Sequence, residues 1–87
     1  SPGRVTLRAF GALAAALGSE PFDCALPATL RDVLGALGRE RPAAAALLVA
    51  PDGALLPSVH RSGTRLRATE LIRDGDVLDL VLALRGG

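Results

Sequence analysis

Residues 77–85 read Val-Leu-Asp-Leu-Val-Leu-Ala-Leu-Arg, and Gly86-Gly87 follow directly. In an extended chain successive side chains point to opposite faces. Leu78, Leu80, Leu82 and Leu84 therefore share one face, and Val77, Asp79, Val81, Ala83 and Arg85 the other. A strand this apolar suits the centre of a sheet, flanked by two neighbours, and is poorly suited to an open edge. The rest of the chain must supply those flanking strands and a helix to cover Leu78 and Leu80. Leu82 and Leu84 lie nearer the exit of the strand, where they are either rim of the core or an apolar patch for a partner. Beyond them the strand runs into a tip without side chains, with Gly87 carrying a carboxylate.

The flanking elements can be read in order. Arg4 to Phe10 alternates, with Val5, Leu7 and Ala9 opposite Arg4, Thr6, Arg8 and Phe10, which predicts a strand with one buried face. Gly11 breaks it. Ala12 to Leu17 is rich in strong helix formers, with Leu13 and Leu17 on one face and Gly18 as the stop, so a helix of about two turns is expected. Phe22, Cys24 and Leu26 alternate with Asp23 and Ala25 in a second strand ended by Pro27, and Cys24 reads there as a small buried hydrophobe. Thr29 is a good N-cap. Leu30, Val33, Leu34 and Leu37 follow the spacing of an amphipathic helix, with Asp32 in its first turn, Arg39 and Arg41 in its last, and Pro42 as its terminator. Ala43 to Val49 fits either a further helical turn or an extended segment. Pro51-Asp52-Gly53 and Ser62-Gly63 are turns, a short strand is expected around Ser58–Arg61, and Arg65-Leu66-Arg67-Ala68 reads as a small edge strand. Arg73-Asp74-Gly75-Asp76 is a polar turn before the last strand.

An 87-residue chain makes one domain. Residues 1–87 are expected to form it, with 85–87 as a flexible tail. A chain of this size buries about 60–65% of its unfolded surface, enough for one modest core and no deep cleft. Net charge is +1, and the only aromatic residues are Phe10 and Phe22, which argues against a nucleic-acid or anionic membrane surface. All ten cationic side chains are arginine. The single cysteine excludes an internal disulfide and a multi-thiolate metal site. No apolar run is long enough to span a membrane, and no signal-peptide pattern is present, so a cytoplasmic protein is expected. His60 has no evident carboxylate or cysteine companion and reads as a surface or packing residue. Asp74 and Asp76 form a turn, and no metal site is expected.

The order strand, short helix, strand, main helix, short strands, long strand, ending in Gly86-Gly87, resembles the ubiquitin-like β-grasp family. Leu82-Ala83-Leu84-Arg85-Gly86-Gly87 is similar to ubiquitin's Leu-Arg-Leu-Arg-Gly-Gly. Three other segments, 10–18, 29–34 and 72–77, resemble the small subunit of molybdopterin synthase and related prokaryotic sulfur carriers. Residues 56–66 depart from that subunit, which has a more apolar strand ending in Asn-Gly there. The resemblance implies an α+β fold: a mixed sheet packed on one main helix, with a short helix after strand one.

It also implies a carrier rather than an enzyme. The Gly87 carboxylate would be adenylated with ATP by a ubiquitin-activating-type enzyme. A sulfurtransferase-type donor would supply sulfur to form a thiocarboxylate. An acceptor enzyme, such as the large subunit of molybdopterin synthase, would receive it. Glycine suits the tip because it has no side chain to clash in a narrow channel. Gly86, Arg85, Leu84 and Leu82 are the expected partner contacts, Arg85 alternatively being only a solvated charge. No bound cofactor, nucleic acid or membrane is expected. Other sulfur destinations (a thio-metabolite, cysteine or thiolated tRNA), a ubiquitin-like protein modifier, and a binding module with an incidental tail are the alternatives.

Overall fold

Val5 and Leu7 anchor the first strand, β1 (Pro2–Ala9), by burying one face while Arg4, Thr6 and Arg8 face outward. The computed structural model describes residues 2–18 and 21–82. After Gly11, whose φ of +63° favours glycine, the chain forms α1 (Ala12–Leu17), and Leu13 and Leu17 bury its inner face as their spacing predicts. Strand β2 (Phe22–Ala25) returns antiparallel to β1, pairing Val5 with Phe22 and Arg4 with Asp23.

The main helix, α2 (Leu30–Glu40), starts where the Thr29 hydroxyl accepts a hydrogen bond from the Asp32 amide at 3.2 Å. That bond satisfies one of the amide donors a helix N-terminus leaves free. Leu30, Val33, Leu34 and Leu37 are all buried, each at 1% exposure or less. Arg41 lies just beyond the helix, and its Nη1 donates to the Leu17 carbonyl at 2.9 Å, tying the end of α2 to the end of α1.

Pro42 does close α2, but it also opens another helix, α3 (Pro42–Leu48). Proline is at home in a first turn because no partner exists there for the amide it lacks. The ambiguous alanine segment is thus helical, and Ala44 and Leu48 are buried.

Strand β4 (Ser58–Arg61) falls where the sequence places it. A Ser62-Gly63 turn with both φ values positive leads to β5 (Thr64–Arg65). Such turns suit two-residue hairpins because their twist matches that of the strands. The expected edge strand 65–68 is therefore shorter and begins one residue earlier. β7 (Val77–Val81) completes a five-stranded sheet of order β2-β1-β7-β4-β5. β7 lies parallel to β1 and antiparallel to β4, with Leu78 and Leu80 fully buried. This mixed sheet with its helices is the expected β-grasp. A second sheet, β3 (Ala28–Thr29) with β6 (Leu71–Ile72), was not foreseen, and Ile72 joins the core through it.

Two expectations are corrected at β2. Leu26 is buried but lies past the end of the strand. Cys24 packs against the core yet is only half-buried, because β2 is an edge strand with one flank open.

Candidate functional site

The tail emerges from β7, which is paired along both edges. Leu80 pairs with Ala9 on one side and Val59 on the other, and Val81 lies opposite Ser58, whose hydroxyl donates to the Val81 carbonyl at 3.3 Å. Leu82 is half-buried and packed against the core, so its place is the rim of the core. Leu84, Arg85, Gly86 and Gly87 lie outside the described residues. The structure thus places the root of the predicted site and one of its five named residues.

The entrance to β7 is pinned as firmly. Gly75, at φ +90°, donates its amide to the Arg4 carbonyl at 2.8 Å, and Asp74 Oδ1 accepts from the Arg4 amide at 2.8 Å. Asp76 Oδ2 accepts from Arg61 Nη1 at 2.8 Å and from the Arg73 amide at 3.0 Å. The Arg-Asp-Gly-Asp turn therefore docks the start of β7 onto β1 and β4. These aspartates are structural acceptors.

On the sheet face opposite the helices, Arg8, Asp79, His60 and Arg65 form a row across β1, β7, β4 and β5. Arg8 grips Asp79 through Nε at 2.6 Å and Nη2 at 3.0 Å. This bidentate bond, with the charge of Arg8, holds the Asp79 carboxyl below the usual carboxylate range. His60 is half-buried, and its Nε2 has no hydrogen-bond partner among the described residues. Its register neighbours are Asp79, already engaged by Arg8, and Arg65, so no nucleophile is activated here. Burial, and then the charge of Asp23, push the Cys24 thiol up, which disfavours the nucleophilic thiolate. Among the described residues no group of three His, Cys, Asp or Glu side chains could hold a metal ion, and no helix is long and apolar enough to cross a membrane.

Exposed apolar side chains near the exit of β7 are ones the sequence did not single out. Phe10 and Val81, each one residue beyond the paired Ala9 and Leu80, are 56% and 41% exposed. Phe10 falls on the polar side of its strand's alternation, which was the available signal.

A central strand leading to a diglycine, on a β-grasp scaffold, defines a ubiquitin-like carrier or modifier. No family model and no curated protein matches the sequence. Solved structures do. One crystal structure of small archaeal modifier protein 1 from Haloferax volcanii is 30% identical, covers 98% of this chain and 100% of its own, and superposes with a TM-score of 0.79. A second is 28% identical over 94% and 99% of the two chains, with a TM-score of 0.78. A complex of subunits 1 and 2 of the molybdopterin-converting factor from Helicobacter pylori contains the same fold at 19% identity, with 97% and 99% coverage and a TM-score of 0.56. The chain belongs to the ubiquitin-like β-grasp family of small sulfur carriers and modifiers.

Proposed function

We propose that this protein carries sulfur on the Gly87 carboxylate. A carboxylate is a poor electrophile. Bound to a ubiquitin-activating-type enzyme, the Gly87 carboxylate attacks the α-phosphorus of ATP, expelling pyrophosphate and giving an acyl-adenylate. A persulfide from a sulfurtransferase then displaces AMP, and a second thiol cleaves the resulting acyl disulfide, leaving the thiocarboxylate. The carrier supplies the reacting carboxyl group, while acid, base and ATP chemistry belong to its partners. Leu84, Arg85 and Gly86, with the exposed part of Leu82 at the rim of the core, are the segment those partners read. The first destination proposed is molybdopterin synthesis in the cytoplasm, with a larger acceptor subunit. The Helicobacter complex of two converting-factor subunits supports a partner of that kind.

The observation that carries the reading is the placement of β7. It is the central strand, locked between β1 and β4, and it leads directly to Gly86-Gly87. A tail rooted this way can enter a partner's site without loosening the core.

The test is incubation with ATP, the activating enzyme and a sulfur donor, followed by intact-mass analysis. One oxygen replaced by sulfur at Gly87 is expected, and deletion of Gly87 should abolish it with the fold retained. A second reading, attachment of Gly87 to protein amines, is favoured by the 30% identity to a small archaeal modifier. Isopeptide adducts without any thiocarboxylate would select that reading over the first.

A further inference from the structure

The outer edge of β5 carries a feature the tail chemistry does not use. Leu66 donates its amide to the Val59 carbonyl at 2.8 Å, so the alternation of the ladder turns the backbone amide and carbonyl of Arg65 away from β4, toward the open edge. Below that edge runs a groove lined by Leu30, Leu55, Pro57 and Leu66, with Arg65 and Arg67 at its rim. Both arginines are exposed, and neither forms an ion pair among the described residues. Among the described residues no carboxylate lines this groove. The grooves at Arg4 and Arg39 contain lining carboxylates, and Arg8 in another is held by Asp79. The β5 groove therefore combines an unpaired strand edge at Arg65, an apolar floor and cations without counter-charges among the described residues.

We propose that this edge is a docking strip for a partner protein that presents an extended, acidic segment with an aliphatic side chain. The segment adds to β5 as a further strand, its aliphatic side chain enters the groove, and its carboxylates meet Arg65 and Arg67. Charge complementarity selects this occupant. The chain's own residues 83–87 bring the Arg85 cation as well as a carboxylate, and a nucleic acid finds no aromatic platform in the groove. Position gives the strip a use. Leu66 bonds to Val59, which pairs with Leu80, so a strand added outside β5 lies three strand spacings, about 14 Å, from β7 near the root of the tail.

The surface stands on geometry and charge alone and can be tested without sulfur transfer. The full chain, labelled with nitrogen-15, is titrated with the capped peptide Glu-Asp-Ile-Asp-Val-Glu-Asp. Amide shifts are expected at Leu55 and across residues 65–68. Binding should weaken about tenfold or more for the Gln/Asn version of the peptide and for the R65E/R67E variant, and should weaken with added salt. R65Q/R67Q, which reverses no charge, should fall between the two proteins. Equal binding of the neutral peptide, shifts confined to β2, tighter binding of a short oligouridine, or no shifts at millimolar peptide would each overturn the proposal. So would finding that deletion of residues 83–87 from the free protein shifts the same amides, which would assign the groove to the chain's own tail.

Discussion

One oxygen of Asp76 holds a junction together. It accepts from Arg61 and from the Arg73 amide, while the same Arg61 nitrogen also donates to the Leu71 carbonyl at 3.1 Å. Removing it leaves a half-buried guanidinium without its carboxylate, a loss of about 1–3 kcal/mol. Asp76→Ala should therefore lower the thermal midpoint by about 4–8 °C per kcal/mol lost, read by circular dichroism, and an unchanged midpoint would contradict the role given to Asp76. Asp23 and Asp79 make a separate prediction. Hydrogen bonds and charge from Arg4 and Arg8 hold both carboxyls below their ordinary range. The unfolded chain takes up these protons first, so the stabilisation is complete above the ordinary carboxylate pKa of about 4 and is lost as pH falls through the lower native values. The urea midpoint should accordingly drop below about pH 4, and Asp23→Asn with Asp79→Asn should flatten that drop. An equally steep acid limb in the double variant would assign it to other groups.

The elements differ in how much of their physics is local. In α2 the apolar stripe, the Thr29 cap and the charges at both ends agree, and the helix forms within a residue of its sequence boundaries. Thr29→Ala should cost about 1 kcal/mol, with Thr29→Ser restoring most of it in a denaturant titration. A neutral Thr29→Ala would mean the cap is redundant with the backbone bond from the Leu30 amide to the Glu70 carbonyl. β7 is equally legible, since Leu78 and Leu80 fix both its register and its central place. β3 and β6 were not legible, because two-residue strands have no period to read and exist only once Ala28 meets Ile72. Pro42 terminates one helix as its position predicts and also begins the next, which is why the alanine segment after it reads as either helix or extended chain in the sequence. The proposed role of the tail rests on Gly86-Gly87 in the sequence, which lie outside the described residues. The cationic rim at Arg65 and Arg67 was not legible, because in sequence those residues read as ordinary edge-strand charges. Their lack of counter-charges emerges only when α2 and the 55–57 segment close the groove around them.

At the scale of the whole molecule, the surface is chemically quiet toward the terminus that the proposed chemistry would activate. An acyl-adenylate or acyl thioester at Gly87 reacts with amines and thiolates. The chain has ten arginines, no lysine and one cysteine. A guanidinium stays protonated and is no nucleophile at neutral pH. The thiol of Cys24 is half-buried, with its ionisation pushed up by burial and Asp23. If the tail is activated as proposed, it meets no side-chain amine on another copy, which rules out branched chains of this protein joined through lysine. Under conjugating conditions with the activating enzyme and ATP, intact-mass analysis should show no ladder of self-adducts joined through side-chain amines. Arg39→Lys creates an amine at an exposed position at the end of α2, where no ion pair forms among the described residues, so the fold should be unaffected. A ladder that appears only in that variant would show that the arginine-only surface keeps the carrier from becoming its own acceptor. Side-chain self-adducts in the unaltered protein, mapped by peptide mass to Cys24 or any arginine, would show that it does not.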